Sequence, residues 1–184
     1  MLHTEKGVLP CPGYETDILL DINTVAYKAL SPLIVNSFID SCAFDPKYEP
    51  EASASLEIFA LSENVPLVLH IAHSNQKEVE HPNTPAWVKE KAGELIYSIN
   101  VQLTINEKKI LADIEKILAG DGKIENIKQD ARHVFEAHKY GHYFITTDKR
   151  ILARAAVLRD RCSVNVILPS AFLASTRKHL AEEK

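Results

Sequence analysis

Four short apolar runs constrain this chain more than anything else in it: LIVNSFID (33–40), VPLVLHIA (65–72), HYFITT (142–147) and SVNVILP (163–169). Each is a nearly continuous block rather than an alternation of apolar and polar residues. Alternation marks a strand with one wet face, whereas a continuous block marks a strand covered on both faces. Between the blocks lie stretches with helical spacing, ending signals and caps. Parallel strands need crossovers of that length, and the crossovers are right-handed. The expectation is an α/β fold: a three-layer α/β/α sandwich with a mainly parallel central sheet.

The helical stretches read in order as 50–62, 74–80, 83–99, 105–120, 124–141, 148–158 and 170–180. Asn83 or Thr84 is expected to cap the third of these, with Pro85 in its first turn. Gly141 is expected to close the fifth. With 184 residues, 46% of them apolar, the chain can build one ordinary core. The pattern sharpens at residue 33, so 33–184 reads as the domain and 1–32 as an N-terminal extension. A net charge of −4 argues against coating nucleic acid by bulk positive charge, and leaves room for a local basic groove. Cys11, Cys42 and Cys162 form no CxxC pair, which suits reduced thiols in the cytoplasm. No apolar run approaches the ~18 residues that span a bilayer, and no secretory leader pattern opens the chain.

Several acids stand where acids are costly. Asp40 ends the first apolar run and Asp148 follows the third. In open parallel sheets, sites form outside the carboxyl ends of the strands. Asp130 lies three residues after Ile127 and four before Val134, on the core-facing stripe of its helix. Glu78 and Glu80 follow the second strand; two apart on a helix, only one can face a site. Such carboxylates at close quarters repel one another unless divalent cations sit among them. Ligands that are all oxygen favour Mg²⁺ or Mn²⁺. An ion there can polarise a phosphodiester and acidify a bound water, which is the chemistry of metal-assisted phosphodiester hydrolysis.

The segment DARHVFEAHKYGHYFITTDKRI resembles the PIN domain family of metal-dependent ribonucleases. Gly141, Thr146 and Asp148 follow Asp130 by 11, 16 and 18 residues, the family's usual spacing. FIDSCAFD is similar to its first motif, and SNQKEVEHP stands where the family places its second acid. The resemblance covers roughly residues 33–170. It implies an endoribonuclease acting on single-stranded RNA with Mg²⁺ or Mn²⁺ held by Asp40, Glu78, Asp130 and Asp148. It further implies that Thr146 or Ser41 orients an acid or a water, and it admits an antitoxin or a second copy of the chain as partner. Cys42 departs from the family's usual Asn or Ser. Asp21, in ILLDINT, is a rival first acid, but it would leave a strand unexplained.

Other residues admit more than one reading. His133, three residues after Asp130 on the same face, either touches phosphate, supports Asp130 or simply packs. Lys149 and Arg150 form either a phosphate clamp or a solvated helix face. Trp87 and Tyr97 are expected in the core. The other histidines lack the spacing of a zinc site. The alternative to an enzyme is a chain that keeps the fold as an RNA-binding or scaffold module without the chemistry.

Overall fold

The computed structural model describes residues 30–97 and 102–182. The expected 1–32 extension and Asp21 lie largely outside that range. Four parallel strands form one sheet in the order β2-β1-β3-β4: β1 (Ser37–Ile39), β2 (Leu69–His70), β3 (Tyr143–Ile145) and β4 (Asn165–Ile167). Phe38 pairs with His70 on one side and with Phe144 on the other. All four apolar runs therefore become strands, each shorter than its run because the flanking residues turn into loops and helices.

Side chains alternate across each strand. Phe38 and Phe144 point into one apolar cluster, with Leu111, Ile114, Val134, Phe135 and Leu158. Ile39, Tyr143 and Ile145 point into the other, with Phe44, Ile58, Phe59, Ala92 and Phe172. The sheet thus has an apolar core on each face, which is why its strands read as continuous blocks. Phe38, Ile39, Tyr143, Phe144 and Ile145 are at most 1% exposed. Burying each such side chain stabilises by roughly 1.5–3 kcal/mol. The arrangement is α/β and compatible with a three-layer sandwich.

The helices are α1 (Ser41–Phe44), α2 (Glu51–Ser62), α3 (Gln76–Val79), α4 (Ala86–Leu95), α5 (Ile105–Ala119), α6 (Lys128–Tyr140), α7 (Lys149–Leu152), α8 (Ala155–Cys162) and α9 (Pro169–Glu182). Helices α2 and α9 pack together on one side of the sheet, and α5 packs on α6 on the other. Among the described residues no helix is long and apolar enough to cross a membrane.

Four expectations change. The helix expected over 83–99 stops at Leu95, because the chain beyond it is captured at the sheet edge. Ile96 bridges Ile71 in parallel, and Tyr97 N donates to Ile71 O at 2.9 Å. Neither Asn83 nor Thr84 caps α4; Thr84 Oγ1 instead donates to the Glu78 carbonyl at 3.0 Å. Residues 148–158 form two helices, parted by a tight turn in which Arg154 N donates to Ile151 O. Trp87 is 48% exposed in the first turn of α4 rather than in the core.

Gly141 does close α6, for a reason other than a left-handed turn: its φ is −142°. A Cβ there would stand 2.6 Å from Asn36 O and 2.9 Å from the Phe38 ring. The close approach lets α6 dock at the start of β1, where Asn36 Nδ2 donates to the Tyr140 carbonyl at 2.9 Å.

Candidate functional site

Strand order reverses beside β1. The chain goes from β1 out to β2, then returns past β1 to β3 and β4. The crevice between the carboxyl ends of β1 and β3 is therefore a switch point of the sheet, the usual place for a site in such folds. Asp40 directly follows β1, and Asp148 stands three residues after β3.

Each of these acids also caps the helix that follows. Asp40 Oδ1 accepts from Ser41 N at 2.9 Å at the start of α1, and Asp148 Oδ1 accepts from Arg150 N at 2.7 Å at the start of α7. A short polar residue between strand and helix satisfies an otherwise orphaned backbone donor. Thr146 ties the two together: fully buried, its Oγ1 donates to Asp40 Oδ2 at 2.8 Å and accepts from Asp148 N at 3.1 Å. Cys42 Sγ donates to the same Asp40 Oδ2 at 3.1 Å. Burial and the Asp40 charge push that thiol up to about 11, so it stays protonated as a donor.

Glu78 faces the site and Glu80 does not. Ser41 Oγ donates to Glu78 Oε2 at 2.7 Å, and Gln129 Nε2 donates to Glu78 Oε1 at 2.6 Å. Exposed Glu80 accepts instead from Gln76 on its own helical turn. Buried Asn75 stands between the acids. With its amide oriented to satisfy both ends, it donates to Glu78 Oε2 at 2.6 Å and accepts from Ser41 N at 3.2 Å.

Asp130 and Asp148 share a cation. Arg150 Nη2 lies 3.2 Å from Asp130 Oδ2 and 2.6 Å from Asp148 Oδ2. This hydrogen-bonded guanidinium holds the Asp148 carboxyl below its usual range. Asp130 moves the other way. Burial pushes it up, Arg150 pulls it back, and the charges of Asp40 and Asp148 push it up again. The mutual influence follows from Asp40, Asp130 and Asp148, drawn from three segments, lying near one another.

His133 is 2% exposed. Its Nδ1 stands 3.8 Å from Asp40 Oδ1, and its buried Nε2 has no hydrogen-bond partner. Asp40, Glu78 and His133 offer ligand atoms that all lie within 4.8 Å of one another. The ring lies buried behind the acids, close to Asp40 without a hydrogen bond to it. Buried Thr146 bonds to Asp40 and to the Asp148 N–H, and Ser41 Oγ donates to Glu78. Arg150 pairs with acids rather than standing free as a phosphate clamp. Lys149, beside it, is exposed.

Glu78 opens onto a cleft. A central part of about 520 Å³ is bordered by Ser41, Cys42, Lys77, Glu78, His81 and Gln129. At one end, through Ser41 and Glu78, it joins a pocket floored by Phe44, Ile71, Val79 and Val88. At the other, through Lys77 and Gln129, it joins a trough bordered by Lys128 and Arg132. The spacing of single motifs did not reveal Asn75, Gln129, Lys77, Lys128 or Arg132. The available signal was positional: Gln129 adjoins Asp130, and Asn75 and Lys77 flank Glu78 in the turn already singled out. No protein-family model matches the chain, and no curated protein matches it.

Proposed function

We propose that the chain is a metal-dependent endoribonuclease, PIN-like in fold, that hydrolyses phosphodiester bonds of single-stranded RNA. One observation carries the reading: acids from four separate segments meet at the sheet's switch point, linked through Thr146, Ser41 and Arg150. The donor set fits a divalent ion. Among the described residues, neither Asp40 nor Glu78 has a Lys or Arg ion-pair partner, so two negative charges lie uncompensated in one crevice.

Asp40 and Glu78 would hold the ion most directly, with Asp130 and Asp148 beside them. A bound Mg²⁺ or Mn²⁺ polarises a phosphoryl oxygen and makes water a nucleophile near neutral pH. The chain's own residues do the rest. Thr146, Cys42 and Ser41 fix the rotamers of Asp40 and Glu78, so no reorganisation is needed when charge develops. Lys77, Lys128 and Arg132 border the cleft and attract a phosphate backbone despite the chain's net negative charge. The apolar pocket beside Glu78 suits the face of an unpaired base, and a flexible strand can bend its phosphate to acids recessed behind that rim. The free thiols Cys42 and Cys162 suit a reducing, cytoplasmic setting.

Asp40→Asn and Asp148→Asn are each expected to retain the wild-type circular dichroism spectrum and to lose Mn²⁺-dependent cleavage of an unstructured RNA by at least about 100-fold. Full activity in both variants would end the proposal. The rival, an RNA-binding module without chemistry, draws on Arg150 occupying the Asp130–Asp148 pair. It predicts RNA binding with no cleavage at any metal concentration.

A further inference from the structure

We infer that His133 is a direct ligand of the bound ion, so that the centre takes one imidazole and two carboxylates, from His133, Asp40 and Glu78, and prefers Mn²⁺-class cations to Mg²⁺. The inference rests on the reading of the cleft as a metal centre, but not on RNA being the substrate.

The first ground is the state of the ring. A buried imidazole ordinarily finds partners for its nitrogens, because burial without them is costly. His133 is 2% exposed, yet its Nε2 is buried without a partner, and its Nδ1 faces Asp40 Oδ1 at 3.8 Å, beyond hydrogen-bond reach. Two ligands of one ion, each about 2.1 Å from it, stand ~3 Å apart when adjacent and ~4.2 Å when opposite. The 3.8 Å separation falls within that window; the full Asp40, Glu78 and His133 set lies within 4.8 Å, somewhat wider than one ion holds it, so binding draws the ligands together.

The second ground is the placing of the other cation. Arg150 already pairs with Asp130 and Asp148, offsetting one of their two charges. The uncompensated half of the cluster is the half where His133 lies. The carboxylates there are supported from outside by Thr146 and Cys42 on Asp40 and by Ser41 and Gln129 on Glu78. Such outer bonds orient ligands at metal centres. Imidazole nitrogen suits Fe²⁺ and Zn²⁺, and Mn²⁺, a transition ion at home among carboxylates, accepts it more readily than Mg²⁺, which prefers oxygen and water.

The test uses the full chain and Mn²⁺ as probe. Electron spin-echo modulation of bound Mn²⁺ is expected to show coupling to directly bound nitrogen, changed in pattern when the histidines carry ¹⁵N. The coupling is expected to survive in His73→Gln and His81→Gln, two histidines that border the cleft and its trough, and to vanish in His133→Asn. Calorimetry is expected to give Mn²⁺ at least about tenfold tighter binding than Mg²⁺. If His133→Asn does not fold, the His73 and His81 variants with ¹⁵N-histidine decide alone, since retention of coupling in both supports His133. Oxygen-only coordination overturns the inference even where RNA is cleaved, as it would if His133 were only a protonated counter-ion of Asp40. Loss of the coupling in the His73 or the His81 variant, or no Mn²⁺ bound at all, also overturns it. Nitrogen coordination without RNA cleavage supports the inference and overturns the nuclease reading alone.

Discussion

Arg150 sits two residues after Asp148, the acid that caps its backbone N–H and pairs with its guanidinium. Its guanidinium holds Asp148 by side-chain bonds while its backbone N–H is capped by the same carboxylate. It also spans to Asp130, from a helix distant in sequence. The side chain is 66% exposed, so the pair is largely solvated and a modest source of stability. Its larger effect is on the charge of the cleft. Removing it leaves two further carboxylates uncompensated, which favours a cation in their place. Arg150→Gln is accordingly expected to tighten Mn²⁺ binding several-fold, or to raise its stoichiometry from one ion to two, by calorimetry. Weaker Mn²⁺ binding in that variant would show that Arg150 supports the ion's ligands instead of competing with the ion.

At the scale of the element, the short helices matter most for the site and the long ones for the core. α1, α3 and α7 are four residues each, too short to be stable alone. α1 and α7 persist because strand ends and side-chain caps hold them, α3 continues a 3-10 turn, and each presents or follows an acid of the cluster. The long α5 is marked at its start by a full capping box: Thr104 Oγ1 accepts from Glu107 N, and Glu107 accepts from Thr104 N. Glu107 also accepts from Lys139 Nζ at 2.9 Å, which joins α5 to α6, the helix carrying Asp130 and His133. That bond and the capping bonds hold the Glu107 carboxyl down to about 2, from an ordinary value of 4.5. A carboxyl depressed in the folded state stabilises above its unfolded value, and the contribution is lost as pH falls from about 4.5 to about 2. Glu107→Gln should therefore melt below the wild type at pH 7, with the gap closing across that window. A gap independent of pH would show that the carboxylate charge is not what matters there.

Across the whole molecule, charge is unevenly placed. The net charge is −4, yet Lys77, Lys128 and Arg132 gather along one end of the acidic cleft. Cations beside recessed acids attract a polyanion and leave the centre to a metal ion. Replacing all three by Gln should weaken binding of a short unstructured RNA, measured without added divalent ion. It should also flatten the dependence of log K on log salt by about 0.7 for each phosphate left without its cation, roughly 2 in all. An unchanged slope would mean that RNA lies elsewhere.

Sequence and tertiary structure divided the work by range. Local patterns were enough for the four strands, the helical crossovers and hence the parallel α/β class, because periodicity, caps and breakers act within a few residues. The same patterns picked out Asp40 and Asp148, since an acid after an apolar run is conspicuous. Local reading could not choose between Glu78 and Glu80, since facing inward depended on Ser41 and Gln129, which are remote in the chain. It could not foresee that Ile96 would leave its helix for the sheet edge, or that Trp87 would stay half exposed, because both outcomes depend on which neighbours fold alongside. Nor could it show that Arg150 would bind acids and that the ring of His133 would face Asp40. The energies that fix such pairings arise between side chains brought together only when the sheet and its helices close.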